Sequence, residues 1–176
     1  MISSFTIVLF ISIFQSMVLF DFTSDEGQTG WTIVNDNVMG GRSRSSFSIS
    51  DQGTGIFKGT VSLENNGGFC SVRHGLDAVP VQRAEKFVIR LKGDGKKYQF
   101  RLKAKRSDYH SYIAWFETSG EWETIEIPMK DMFPRFRGRN LDMPNFSGES
   151  IDEIGILIGN KKAESFNLEI DKISLK

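Results

Sequence analysis

The stretch Phe87-Val88-Ile89-Arg90-Leu91-Lys92-Gly93-Asp94-Gly95-Lys96-Lys97-Tyr98-Gln99-Phe100-Arg101-Leu102-Lys103-Ala104-Lys105 decides the fold class. Phe87, Ile89 and Leu91 alternate with Val88, Arg90 and Lys92. After a glycine-flanked turn, Tyr98, Phe100, Leu102 and Ala104 alternate with Gln99, Arg101, Lys103 and Lys105. Strand side chains point to opposite faces with a period of two, so each run turns an apolar edge to a core and a mostly cationic edge to water. With Gly93-Asp94-Gly95 as the turn, the expectation is a hairpin within one sheet. That pairing would set Arg90, Lys92, Arg101, Lys103 and Lys105 side by side, and like charges directly opposite one another repel. Carboxylates of neighbouring strands, such as Glu117, Glu123 or Glu126, or else an external anionic partner, are expected to neutralise the face.

Outward from this stretch the alternation recurs, and no run of ten or more residues shows a capped helical stripe. Val18 to Phe22, Trp31 to Val34, Phe47 to Ile49, Gly55 to Leu63, Phe69 to Val72, Tyr112 to Thr118 and Trp122 to Ile127 all read as strands. Ile154 to Ile158 is continuously apolar, as a strand covered on both faces is. In Ser165 to Leu175 the apolar phase shifts between Ile170 and Ile173, which predicts a bulge near Asp171-Lys172. The domain is therefore expected to be all β. Lys130 to Ser150 reads as a long irregular segment pinned by Phe133, Phe136, Leu141 and Phe146. Its Arg135, Arg137 and Arg139 are suited to receiving an anion or to clamping backbone carbonyls.

The 176 residues suit one domain, expected over Met17 to Lys176, and fifteen Phe and three Trp supply a core. With 22 basic and 22 acidic residues, the chain has no electrostatic reason to seek nucleic acid or an anionic membrane. Charge is nonetheless segregated: Val81 to Arg106 is strongly basic and Ser107 to Lys176 is acidic. The single Cys70 excludes an internal disulfide and reads as a small core residue.

Met1 to Phe20 is mostly apolar and carries no Lys or Arg. Three readings stand for it: an apolar leader over Met1 to Ser16, a true start at Met17, or an extra strand. The protein is exported or membrane-associated under the first and cytoplasmic under the second. A mitochondrial transit peptide would be rich in Arg, so mitochondrial import is not expected.

No nucleophile elbow, phosphate loop, dinucleotide fingerprint or zinc spacing is present. His74 and His110 read as exposed loop histidines, so no catalytic residue, cofactor or enzymatic activity is expected. A structural calcium held by Asp21, Glu169 and Asp171 is the one metal hypothesis, because terminal strands of a sandwich often lie together and calcium takes carboxylate oxygens.

The densest run of special residues is Asn35-Asp36-Asn37-Val38-Met39-Gly40-Gly41-Arg42-Ser43. Asn and Asp satisfy turn amides and paired glycines permit unusual backbone paths, so Gly40-Gly41 is expected to shape the path while Met39 docks on the core. Together with Asn65-Asn66-Gly67-Gly68-Phe69 and Arg73, then Gly120-Glu121-Trp122, Arg137-Gly138-Arg139 and Leu168-Glu169-Ile170-Asp171-Lys172-Ile173, it resembles the complex I intermediate-associated protein 30 family. The resemblance runs from about Leu19 to the C-terminus. It implies a galactose-binding-like jelly-roll β-sandwich and, for mitochondrial members, a chaperone-like role in assembling respiratory complex I. Lacking a transit peptide, the chain is expected to be a bacterial relative whose target is open.

Two readings follow. In the first, the protein is an assembly factor that binds a protein partner, such as a membrane respiratory complex subunit, through Arg90, Lys92, Arg101, Lys103, Lys105, Arg135, Arg137 and Arg139. In the second it is a carbohydrate-binding module that grips a glycan with Trp115 or Trp122.

Overall fold

The structure is a computed structural model that describes residues 16–23 and 29–176. Most of the N-terminal apolar stretch, with all but the last residue of the leader expected over Met1 to Ser16, lies outside the described residues. Along the chain come β1 (Met17–Asp21), β2 (Trp31–Ile33), β3 (Arg44–Ile49), β4 (Gly55–Val61), β5 (Cys70–Pro80), β6 (Lys86–Lys92) and β7 (Lys97–Lys103). β8 (Ser111–Glu117), β9 (Trp122–Pro128), β10 (Phe133–Phe136), β11 (Arg139–Asn140), β12 (Ser150–Ile158) and β13 (Glu164–Leu175) complete the order. Short 3-10 turns are the only helical pieces among the described residues, and no helix there is long and apolar enough to cross a membrane.

Two antiparallel sheets face one another. One has six strands in the order β3-β4-β13-β6-β9, with β1 also on β13; the other has seven in the order β11-β10-β8-β7-β12-β5-β2. The alternation explains the core directly. Phe87, Ile89 and Leu91 face it from one sheet, Tyr98, Phe100 and Leu102 from the other, and all six are buried. Each such side chain contributes roughly 1.5–3 kcal/mol by leaving water. The phase shift in β13 is a real irregularity, since its register against β6 slips between Ile170 and Lys172. β12 lies between β7 and β5, and there Gly155 and Leu157 are buried on the face away from the core.

The expected hairpin is corrected. β6 pairs with β13 and β9, whereas β7 pairs with β8 and β12 in the opposite sheet. Period-two alternation assigns faces and leaves the partner strand open, so two amphipathic strands joined by a short loop bury the same edges by crossing between sheets. The crossing sends Arg90 and Lys92 to one outer surface and Arg101 and Lys103 to the other, and the repulsion between them does not arise. Asp94 holds the corner: it accepts hydrogen bonds from Tyr98 Oη at 2.9 Å, Lys96 Nζ at 2.8 Å and the Asn167 amide of β13 at 2.9 Å. The β8–β9 connection crosses the same way, tied in by the Thr118 amide on the Lys96 carbonyl at 3.1 Å.

The segment from Lys130 to Ser150 is less irregular than its sequence suggests, since β10 adds to β8 and turns back as β11. Its anchor is Phe146, buried 5.3 Å from the Tyr112 ring, with its amide on the Met132 carbonyl at 2.9 Å. Neither histidine is an exposed loop residue. His74 sits in β5 against Phe20 and Trp31, and His110 is buried between Tyr109 and Tyr112, because an imidazole packs as a flat ring at a sheet border.

Candidate functional site

Two separated parts of the family-like sequence converge on one carboxylate. Asp36 is fully buried, and it accepts hydrogen bonds from the Ser43 amide at 3.0 Å, the Gly68 amide at 2.6 Å, the Phe69 amide at 3.2 Å and the Ser43 hydroxyl. Asn35 Oδ1 takes the Ser45 hydroxyl at 2.8 Å and the Ser71 amide at 3.3 Å. The glycines are cut to this anion: a Cβ on Gly41 would lie 2.3 Å from Asp36 Oδ1, and one on Gly67 2.7 Å from Oδ2. Gly40 (φ +90°), Asn65 (φ 56°) and Asn66 (φ 59°) take left-handed backbone that few other residues tolerate. Burial pushes the Asp36 pKa up, but the donors from Ser43, Gly68 and Phe69 outweigh it and hold the carboxyl below its ordinary range.

Met39 does not dock on the core. The turn that points Asp36 inward points its neighbours outward, leaving Val38 and Met39 70% and 60% exposed; Leu63, just before the second glycine motif, is also open to water. The signature is thus a polar knot that is architectural inside and apolar outside. Cys70 is buried as expected, and burial pushes its thiol up to about 11.

The predicted cationic cluster is split and re-formed. Arg90 and Lys92 lie on the six-stranded sheet, where Arg90 stands 5.6 Å over the Trp122 ring and 3.9 Å from Asp171. Lys105, Arg137 and Arg139 are exposed at borders of the molecule, Arg137 over the Phe136 ring at 5.2 Å. Arg101, Lys103 and Arg135 come together on the outer face of the seven-stranded sheet, joined by Arg73 from β5.

Register makes this second group a built surface. Thr32, Arg73, Gly155, Arg101, Ile113 and Phe133 follow one another across β2, β5, β12, β7, β8 and β10. Gly155 leaves room in that row, since a Cβ there would stand 3.2 Å from the Arg73 Cγ. Ile113 and Leu157 are buried yet outside the main core cluster, so they floor the face beneath the longer side chains. Arg101 Nη1 donates to Gln99 Oε1 at 2.9 Å. Trp115 carries Lys97 Nζ at 5.3 Å and the Arg135 guanidinium at 5.9 Å over its ring. Burial, then the like charges of Arg73 and Arg135, push the Arg101 pKa down to about 10, offset in part by Glu153, and the group stays charged at neutral pH.

The anticipated neutralisers are local. Lys86 pairs with Glu126 at 2.6 Å, Lys97 with Glu117 at 3.7 Å and Arg73 with Glu153 at 3.9 Å, while Glu123 accepts from the Ser119 amide instead. Arg135 also clamps the Gly138 carbonyl at 2.8 Å, and Lys103 reaches the Asp108 carbonyl at 2.6 Å. Asp21, Glu169 and Asp171 are engaged separately, by Lys172 at 2.8 Å, Thr54 at 2.6 Å and Arg90 at 3.9 Å. Among the described residues no group of three or more His, Cys, Asp or Glu is placed to hold a metal ion. Sequence reasoning missed Arg73 as a member of the basic face and Trp115 as its cation-bearing ring, because both depend on strand order.

Known structures share the architecture. A family 11 carbohydrate-binding module of a cellulosomal cellulase of Clostridium thermocellum superposes with a TM-score of 0.65, 19% identical, covering 92% of this chain and 94% of the module. A family 29 carbohydrate-binding module gives 0.53 at 12% identity, covering 92% and 84%. At these identities the likeness establishes the fold, a galactose-binding-like jelly-roll sandwich. Among curated proteins, the mitochondrial complex I intermediate-associated protein 30 of Drosophila melanogaster is 24% identical over 187 aligned positions, covering 92% of this chain. The chain spans 63% of the length of that relative. The family model for complex I intermediate-associated protein 30 matches residues 20–170, from β1 into β13 and across the Asp36 knot, and the chain belongs to that family.

Proposed function

We propose that this protein is a non-enzymatic, protein-binding assembly factor for respiratory complex I, NADH:ubiquinone oxidoreductase. The observation that carries the reading is membership, over residues 20–170, of a family named for its association with complex I intermediates. The surface agrees with it. A rigid sheet presents arginines around a tryptophan, residue types enriched at the centres of protein interfaces. The knot holds Val38 and Met39 in water, where a partner can cover them. The test is affinity capture of the tagged chain from fractionated membranes after mild cross-linking. Complex I subunits in the capture support the reading; their absence, with normal complex I assembly in cells lacking the protein, removes it.

A carbohydrate-binding reading draws on the likeness to sugar-binding modules. It requires Trp115 or Trp122 to stack on a sugar, and cations now standing over both rings would have to swing aside. Unchanged tryptophan fluorescence across a broad glycan panel would eliminate it.

A further inference from the structure

Arg101 is a charge mostly withdrawn from water, and its guanidinium donates to a neutral amide, Gln99 Oε1. A buried guanidinium is ordinarily matched by a carboxylate through two parallel hydrogen bonds. Here two further arginines, Arg73 and Arg135, act on it as like charges, and Glu153 is the carboxylate that opposes them, itself shared with Arg73 at 3.9 Å. Such a cluster is costly to fold and favourable to fill. The register fixes its width, because adjacent strands lie about 4.8 Å apart and Arg73 and Arg101 therefore stand roughly 10 Å apart at Cα across Gly155. Arg73 lies along Gly155, and Ile113 and Leu157 are buried on the same face, so the arginines stand on an apolar floor where screening by water is weaker.

We infer that this face receives a carboxylate-bearing segment of a protein partner, with Arg101 as the central anchor and Arg73 and Arg135 as flanking donors. The inference rests on the protein-binding reading above. A peptide is favoured over an acidic sugar because Lys97 and Arg135 already cover the Trp115 ring, so the recognition chemistry on offer is charged hydrogen bonding and not stacking. More than one carboxylate is called for, since a single one satisfies Arg101 and leaves the flanking arginines crowded.

Calorimetric titration of the whole chain with a hexaglutamate peptide, at low and high salt, tests this. A hexalysine peptide serves as the charge control and a galacturonate oligomer as the acidic sugar. Hexaglutamate is expected to bind, to weaken with salt, and to change tryptophan fluorescence, while hexalysine does not bind. Arg101→Gln is expected to reduce hexaglutamate affinity at least about tenfold with the melting temperature unchanged or raised. The double variant R73Q/R135Q provides the same reading should Arg101→Gln fail to fold. No hexaglutamate binding, equal binding by these variants, or tighter binding of galacturonate would overturn the inference. Capture of complex I subunits separates it from the reading beneath. If wild type and R73Q/R135Q capture them equally, the arginine face is wrong and the assembly role stands; if hexaglutamate binds but no subunit is captured and complex I assembles normally in cells lacking the protein, the assembly role is wrong.

Discussion

At the scale of single residues, Asp36 and Arg101 make opposite use of a buried charge. Asp36 is met by donors from Ser43, Gly68 and Phe69, so its removal strands several amides at once. Asp36→Ala is expected to cost about 3–5 kcal/mol in chemical denaturation, with Asp36→Asn milder because it keeps one acceptor. Its pH signature has a fixed sign. The folded carboxyl is held below its ordinary 3.8, so the stabilisation is fully present above about pH 4 and is lost as pH falls through the lower folded value. The acid limb of the stability curve should therefore be shallower in Asp36→Asn. Gly41→Val should also destabilise by about 2 kcal/mol or more, since its Cβ would fall 2.3 Å from Asp36 Oδ1. Arg101 is compensated only in part, by Gln99 and Glu153. Arg101→Met should leave thermal stability within about 1 kcal/mol of wild type or raise it, while abolishing acidic-peptide binding.

At the scale of elements, the corners between sheets carry information that the strands do not. Asp94 links β7, its own loop and β13 through Tyr98, Lys96 and Asn167, and burial together with Asp94 raises the Tyr98 phenol. Asp94→Ala is expected to cost about 1–3 kcal/mol by equilibrium unfolding. The terminal strands make a further prediction. Asp21 is held down to about 2, first by the hydrogen bond from Lys172 and then by Thr23, and it is thereby committed to an ion pair. A chelator should leave the melting temperature unchanged; a clear drop would support the calcium hypothesis for Asp21, Glu169 and Asp171. β13 shows what was readable at this scale, since the apolar phase of its own residues located the bulge near Asp171-Lys172. The Gly93-Asp94-Gly95 connection was misread, because a tight turn looks alike whether the next strand joins the same sheet or crosses to the opposite one.

At the scale of the molecule, a chain with no net charge still concentrates arginine on one side of one sheet. The basic run from Val81 to Arg106 contributes to both outer surfaces, and Arg73 and Arg135, from well before and after it, complete the face around Arg101. Any partner contact made there should weaken as salt rises, whereas contact through Val38 and Met39 should not. Salt dependence of the captured complex therefore reports which surface is engaged.

By itself the sequence determined the all-β class, the inward faces of β6 and β7, the bulge in β13 and the two glycine-rich motifs. These are local facts, set by a period of two and by turn chemistry within a few residues. Tertiary structure alone decided that β6 and β7 part to opposite sheets, that Asn35 to Ser43 and Asn65 to Phe69 close on one carboxylate, and that Met39 faces water. It also decided that Arg73 and Arg101 share a row and that Arg135 stands on the same face. Each depends on which strands become neighbours, and that choice is made by packing two whole sheets around a common core, where partners far apart in sequence weigh as much as adjacent ones.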